Sequence, residues 1–74
     1  MNVTQCRMAR AALDWTLDNL ADASGVARRT IAKFEKGGNV LPEKVEALRA
    51  AFVAAGIAFT NGGTRAGVTY LRKD

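Results

Sequence analysis

The sequence predicts a mostly α-helical fold, in which four short helices are followed by a β-hairpin or single strand at the C-terminal end. Three observations lead to this prediction. Apolar residues recur at helical spacing in four successive segments, glycine or proline lies near the segment ends, and the apolar pattern changes after Gly56. The chain has 74 residues, which is enough for one domain at most. We assign residues 1–56 to the helical part and residues 57–74 to the β tail.

The composition argues against several classes of protein. Apolar residues make up 49% and charged residues 24%, as in folded globular domains. The apolar runs are too short to span a membrane, and the first residues lack a signal-peptide core, so we expect a cytoplasmic protein. Histidine is absent and Cys6 is the one cysteine, which argues against a disulfide and the usual metal sites. We therefore expect no cofactor or metal and, with no nucleophile–base pair in view, no enzyme activity.

The first predicted helix covers about residues 4–13, and Thr4 or Asn2 can cap its first turn. One face of this helix collects four residues at helical spacing: Cys6, Ala9, Arg10 and Leu13. An arginine on this apolar face needs a buried carboxylate partner or must extend its charged end to solvent. We interpret Cys6 and the nearby Trp15 as packing residues.

The second predicted helix covers residues 17–23, with Thr16 as its N-cap. Asp18 and Asp22 share its outer face, which we interpret as solvated rather than metal-binding. Ser24-Gly25-Val26 ends the helix, because glycine adopts a positive φ without penalty.

The third predicted helix, over residues 27–36, is short and basic. Ile31 and Phe34 point inward, and Gly37-Gly38 ends the helix. The chain carries a net charge of +4, and residues 28–36 hold four basic side chains against Glu35. Concentrated positive charge is typical of a protein that binds a polyanion, although charge alone favours a solvated helix face over a binding surface.

The fourth predicted helix begins at Pro42, repeats apolar residues at Val45, Leu48 and Phe52, and ends at Gly56. Two strands follow, over residues 57–60 and 68–72, and residues 61–64 supply turn chemistry between them. Since an isolated hairpin is marginal in water, the tail must pack on the helices or pair with another chain.

Two short helices separated by a glycine turn, with the second helix basic, indicate a helix-turn-helix unit. The segment TLDNLADASGVARRTIAKFEKG over residues 16–37 resembles the core of the lambdoid repressor/Cro (Xre-type) family. Five features match the family spacing: the threonine cap, the Leu-Ala pair, the Gly-Val turn, the Thr-Ile pair and the Phe-Glu-x-Gly ending. The resemblance covers roughly residues 4–55. Leu17 departs from it, because the family often has glutamine there, holding a phosphate and a neighbouring base-contacting residue.

The resemblance implies roles by position. The residues that match base-contacting positions are Ala27, Arg28, Arg29 and Lys33, and those that match phosphate-contacting positions are Thr16 and Lys36. Arg10 and Glu35 match a partly buried ion pair of the family, and we hypothesise that this pair orients Arg10 toward a phosphate. Two separate solvated charges are the alternative.

For the tail, we predict either closure over helix four or addition of a strand across a twofold axis. The residues of the predicted dimer interface are Phe52, Ala55, Ile57, Phe59, Val68 and Tyr70. Arg65, Arg72 and Lys73 support its periphery, reach flanking phosphates or only aid solubility.

The sequence therefore predicts a homodimeric repressor that binds double-stranded DNA at a palindromic operator. The alternative is an antitoxin-like module that binds a toxin or another protein and regulates its own operon. RNA binding is compatible with the charge, but the aromatic platforms that bind single strands are not evident.

Overall fold

In the computed structural model, residues 1–62 and 65–71 are described. They form four helices and two strands: α1 (Val3–Leu13), α2 (Leu17–Ser24), α3 (Arg28–Glu35), α4 (Pro42–Ala54), β1 (Ile57–Gly62) and β2 (Arg65–Tyr70). The mostly α-helical prediction with a C-terminal hairpin is confirmed.

The helix ends follow from local capping. The Asn2 side chain accepts the backbone N–H of Gln5, and the Gln5 side chain accepts that of Asn2, so a reciprocal capping box starts α1. Thr16 and Asn19 form the same arrangement at α2. Asp14 ends α1 in the left-handed region at φ 56°, a conformation that aspartate tolerates better than most residues.

The hairpin is longer than the sequence predicted. The two strands pair antiparallel from Ile57 opposite Tyr70 to Gly62 opposite Arg65. Residues 61 and 62, which we assigned to the turn, belong to β1, because backbone groups pair whatever side chains they carry. Leu71 lies beyond the end of β2, and Arg72 lies outside the described residues.

The core lies between the four helices and the hairpin. α1 packs on α3 and β2, α2 packs on α3 and α4, and α4 packs on β1. The buried apolar residues are Cys6, Ala9, Leu20, Val26, Ile31, Phe34, Leu48, Phe52 and Ile57. Trp15 stacks on Phe52 with ring centroids 5.9 Å apart, and Phe59 meets the same ring edge-on at 6.2 Å. Trp15 is thus a packing residue, as predicted.

A buried side chain ties the hairpin to α1. Gln5 is almost fully buried, and its Nε2 donates to the carbonyl oxygens of Thr60 at 3.1 Å and Gly67 at 3.2 Å. These two residues face each other in the ladder. The same Gln5 side chain completes the α1 capping box, so the start of α1 and the hairpin share one hydrogen-bonding group.

Candidate nucleic-acid interface

The turn between α2 and α3 is held by backbone and side-chain hydrogen bonds. Gly25 ends α2 at φ 75° and donates its N–H to the Ala21 carbonyl at 2.9 Å. The Ser24 hydroxyl donates to the Leu20 carbonyl and accepts the N–H of Val26. Val26 is buried, so the chain enters α3 from a fixed point in the core.

The buried and the exposed residues of α3 lie on different sides of the helix. Ile31, Phe34 and Glu35 are buried on one side. Four cationic residues are exposed: Arg28, Arg29, Lys33 and Lys36. At about 100° of rotation per residue, these four span roughly 140° of the helix circumference. The N-cap residue Ala27 is also exposed, so this surface contains every residue predicted to contact base edges.

The C-terminal end of α3 is closed by a Schellman motif. Gly37, at φ 85°, donates to the Phe34 carbonyl, and Gly38 donates to the Lys33 carbonyl, both at 2.9 Å. A Cβ added at Gly38 would lie 2.6 Å from Lys33 Cγ. The backbone therefore turns closely against the exposed face of α3.

Glu35 forms a partly buried ion pair with Arg10 of α1. Arg10 Nε donates to Glu35 Oε2 and Arg10 Nη2 donates to Glu35 Oε1, both at 2.8 Å. A third donor, Arg10 Nη1, reaches the Trp15 carbonyl at 3.1 Å. The pair implied by the family resemblance is present, and it explains the arginine on the otherwise apolar face of α1.

Burial and the Arg10–Glu35 ion pair shift the pKa values of Glu35, Arg10 and Cys6. Burial raises the pKa of Glu35, but the hydrogen bond and charge of Arg10 outweigh it, and the pKa is lowered overall. The hydrogen bond to Glu35 raises the pKa of Arg10. Cys6 Sγ lies 3.5 Å from Glu35 Oε2, and burial, with the nearby carboxylate, raises the pKa of this thiol to about 12. Cys6 is therefore a protonated core residue at neutral pH.

Arg7 is a contact that the sequence analysis missed. Its Nη2 donates to the backbone carbonyl of Glu35 at 2.7 Å, at the C-terminal end of α3. Arg7 precedes Arg10 by three residues, so the two lie on one side of α1. That spacing could have indicated a second cation directed at α3.

Asp18 was interpreted as part of a solvated face, and it is exposed, but it also has a partner. Arg28 Nε lies 3.2 Å from Asp18 Oδ1. Next to this pair, a shallow open depression is lined by Leu17, Arg28, Arg29 and Ala32.

The inward position of Glu35 concentrates positive charge at the surface. Residues 28–36 contain four cations and one anion, and that anion is buried and paired with Arg10. The exposed face of α3 itself therefore presents only cationic charges, with Asp18 of α2 at its margin. This arrangement favours a polyanionic ligand.

The residues of the predicted dimer interface do not share one surface. Phe52 and Ile57 are buried within the chain, at 0% and 3% exposure, and this burial removes them from any surface contact. Phe59 and Val68 are half-buried against the same core. Ala55 and Tyr70 line a shallow depression whose other residues are Val53, Ala54, Gly56 and Leu71. Of the residues predicted at the periphery, Arg65 lies in β2, and Arg72 and Lys73 lie outside the described residues.

Two other features are absent from the described part of the chain. No helix there combines the length and the apolar character needed to cross a membrane. Within residues 1–62 and 65–71, no group of three or more histidine, cysteine, aspartate or glutamate residues is placed to hold a metal ion.

Comparison with known protein families identifies a match over the helical part of the chain. The family described as Helix-turn-helix matches residues 7–52, which is more than half of the chain. No curated protein matches the sequence. The matched residues contain α2, α3 and both partners of the ion pair that joins α1 to α3.

Proposed function

Because the chain belongs to the helix-turn-helix family of the lambdoid repressor/Cro (Xre) type and is a DNA-binding transcription regulator, we propose that it is a homodimeric repressor of a palindromic operator. The single observation that carries this proposal is the exposed cationic face of α3, whose anion Glu35 is turned into the core. We further propose that it acts in the cytoplasm on nucleoid DNA.

In this proposal α3 enters the major groove. Arg28 and Arg29 donate to guanine O6 and N7, a contact that contributes about 1–3 kcal/mol of discrimination. Lys33 contacts a guanine or a phosphate, and Ala27, exposed at the N-cap, packs against a thymine methyl group.

Phosphate contacts position the protein on the duplex. Thr16 at the start of α2 and Lys36 at the end of α3 lie at opposite ends of the two-helix unit. Arg10 donates three of its five N–H groups within the chain, and its side chain is 25% exposed. We propose that a remaining N–H of Arg10 donates to a phosphate.

Fluorescence anisotropy tests the DNA contacts, with the duplex upstream of the protein's own gene and a shuffled duplex as probes at two salt concentrations. We expect preference for the native duplex, and we expect Arg28→Ala or Arg29→Ala to reduce that preference. Arg49→Ala is the matched control, because Arg49 is a cation on α4 that pairs with Glu46.

Sequence-specific recognition would be contradicted by two results together. The protein would bind both duplexes equally and with a steep salt dependence, and it would show no preference among randomised duplexes. Such binding would represent the phosphate contribution alone.

Dimerisation is proposed through the depression between the end of α4 and the end of β2. Val53, Tyr70 and Leu71 are 48%, 38% and 78% exposed there, although they are large apolar residues. A twofold axis at this surface would pair the patch with itself. To bind successive major grooves, the dimer must place two copies of α3 about 34 Å apart.

Sedimentation tests the dimer, alone and with the native duplex. We expect a dimer for the wild type and a monomer for Leu71→Asp, since that side chain is exposed and its loss leaves the core intact. A wild-type monomer under both conditions would contradict the homodimer. A Leu71→Asp dimer would show that the interface lies elsewhere.

A further inference from the structure

The ion pair between Asp18 and Arg28 joins the first turn of α2 to the first turn of α3. Its Nε–Oδ1 distance is 3.2 Å, and the two side chains are 75% and 66% exposed. Exposed pairs of this kind contribute little to the stability of a fold. The pair is nevertheless in a sensitive place, because Arg28 is one of the two arginines proposed to contact base edges.

We propose that Asp18 is a positioning residue for DNA recognition, which holds the guanidinium of Arg28 for a bidentate contact with guanine. This inference rests on the function proposed above. The guanidinium has five N–H donors in one plane, and the contact with Asp18 engages the Nε end. Both terminal nitrogens remain, and they supply the two coplanar donors that guanine O6 and N7 require.

The surroundings of Arg28 support this assignment. Leu17, beside it in the depression between α2 and α3, is apolar and half-buried, so it offers no side-chain acceptor. Asp18 is the next residue and supplies the carboxylate. Without this carboxylate an exposed arginine samples many rotamers, and ordering it against a base reduces the free energy gained from the contact.

Asp18 acts on DNA binding in two opposite ways. Its negative charge near the start of α2 repels phosphates and weakens binding to every duplex. Through Arg28 it strengthens the preference for the correct duplex. Removing the charge in Asp18→Asn therefore strengthens nonspecific binding and weakens discrimination, whereas a purely electrostatic role would strengthen binding to both duplexes alike and leave discrimination unchanged.

Asp22 provides the matched control. It lies one turn further along α2, is also exposed, and its replacement by asparagine makes the same change of charge. The probes are a duplex selected by the wild type from a randomised pool and its shuffled form. The quantity compared is the ratio of the two dissociation constants.

We expect Asp18→Asn to lower this ratio about twofold to fivefold, the range that an exposed ion pair can support, and Asp22→Asn to leave it unchanged. In an Arg28→Ala background, Asp18→Asn should cause no further fall. Without DNA, NMR relaxation should show the Arg28 Nε–H group more restricted in motion in the wild type and in Asp22→Asn than in Asp18→Asn. Far-UV circular dichroism confirms that each variant is folded.

Equal ratios for Asp18→Asn and Asp22→Asn would overturn the positioning role, as would an equal loss in the Arg28→Ala background. These results are separable from failure of the proposed function. If the wild type selects no preferred duplex, sequence-specific recognition fails and the inference fails with it. If the wild type has a clear preference and the two aspartate variants behave alike, only the inference fails.

Discussion

Replacing Arg10 with methionine removes the cationic partner of a buried carboxylate. Glu35 is 7% exposed, and it loses two charge-assisted hydrogen bonds of 2.8 Å. Loss of one partner from a buried ion pair costs about 3–5 kcal/mol. Because Arg10 is 25% exposed and water can replace part of its contact, we expect a smaller loss, about 2–3 kcal/mol at neutral pH. A domain of this size has a free energy of unfolding of roughly 4–11 kcal/mol, so the effect is large.

The loss depends on pH in a way that a simple packing defect does not. In the wild type the pKa of Glu35 is lowered below its unfolded value. The ionised pair therefore stabilises the fold above the unfolded pKa, and this contribution is lost as the pH falls through the folded pKa. In Arg10→Met, burial acts without the compensating charge and raises the pKa of Glu35. The variant should thus approach the wild type in stability at about pH 4, because the carboxyl of Glu35 is protonated in the variant at that pH.

Urea unfolding followed by circular dichroism, at neutral pH and near pH 4, measures both effects. Arg49→Met on the exposed pair with Glu46 is the control, and its unfolding midpoint should match that of the wild type. The double variant Arg10→Met/Glu35→Leu should recover most of the stability, since apolar replacement of a whole buried pair is often neutral. An equal loss at both pH values, or a double variant no more stable than Arg10→Met, would refute the reasoning.

Three further predictions concern the backbone and the hairpin, each measured by urea unfolding. Asp14→Gly should stabilise the protein by up to about 1 kcal/mol, because Asp14 has φ 56°, which glycine adopts without penalty. The control Ala11→Gly, inside α1, should destabilise the protein by about 1 kcal/mol, and a change of the same sign in both variants would contradict the prediction. Gln5→Met should cost about 1–3 kcal/mol by removing the donor to two hairpin carbonyls, and an unchanged midpoint would show that water replaces it. Gly56→Ala should cost about 1–3 kcal/mol of stability, since Gly56 has φ 100° and an added Cβ would lie 3.0 Å from the Leu71 carbonyl oxygen. A neutral result would mean that Leu71 shifts to accommodate the Cβ.

The helices were predictable because their signals are local. Thr16 as a cap, Gly25 after α2 and Pro42 at the start of α4 each act within one or two turns. The apolar spacing then placed Ile31 and Phe34 in the core. The family resemblance supplied the Arg10–Glu35 pair, whose members are separated by 25 residues. Spacing along the chain alone indicated that Arg10 needed a partner and did not identify Glu35.

The remaining contacts join positions far apart in sequence, or depend on a backbone conformation that no residue type imposes. Arg7 reaches a carbonyl of α3, and Gln5 reaches the hairpin across more than fifty residues. The spacing of Phe52 along α4 is compatible with a core residue and with an interface residue. The packing of Trp15 and Phe59 around its ring shows that it is a core residue. Asp14 gave no sign of a left-handed conformation, because glycine is the usual residue there.

We expect the hairpin to affect DNA binding even without dimerisation. α3 is held by α1 through Arg10 and Arg7, and the start of α1 is held to the hairpin through Gln5. Loosening the hairpin therefore loosens the support of the helix proposed to enter the major groove, even in a monomer. Loss of DNA binding on removing residues 57–74 would for this reason be no evidence for a dimer. The distinction requires a change such as Leu71→Asp, which alters the exposed patch and leaves the chain of contacts from Gln5 to Glu35 in place.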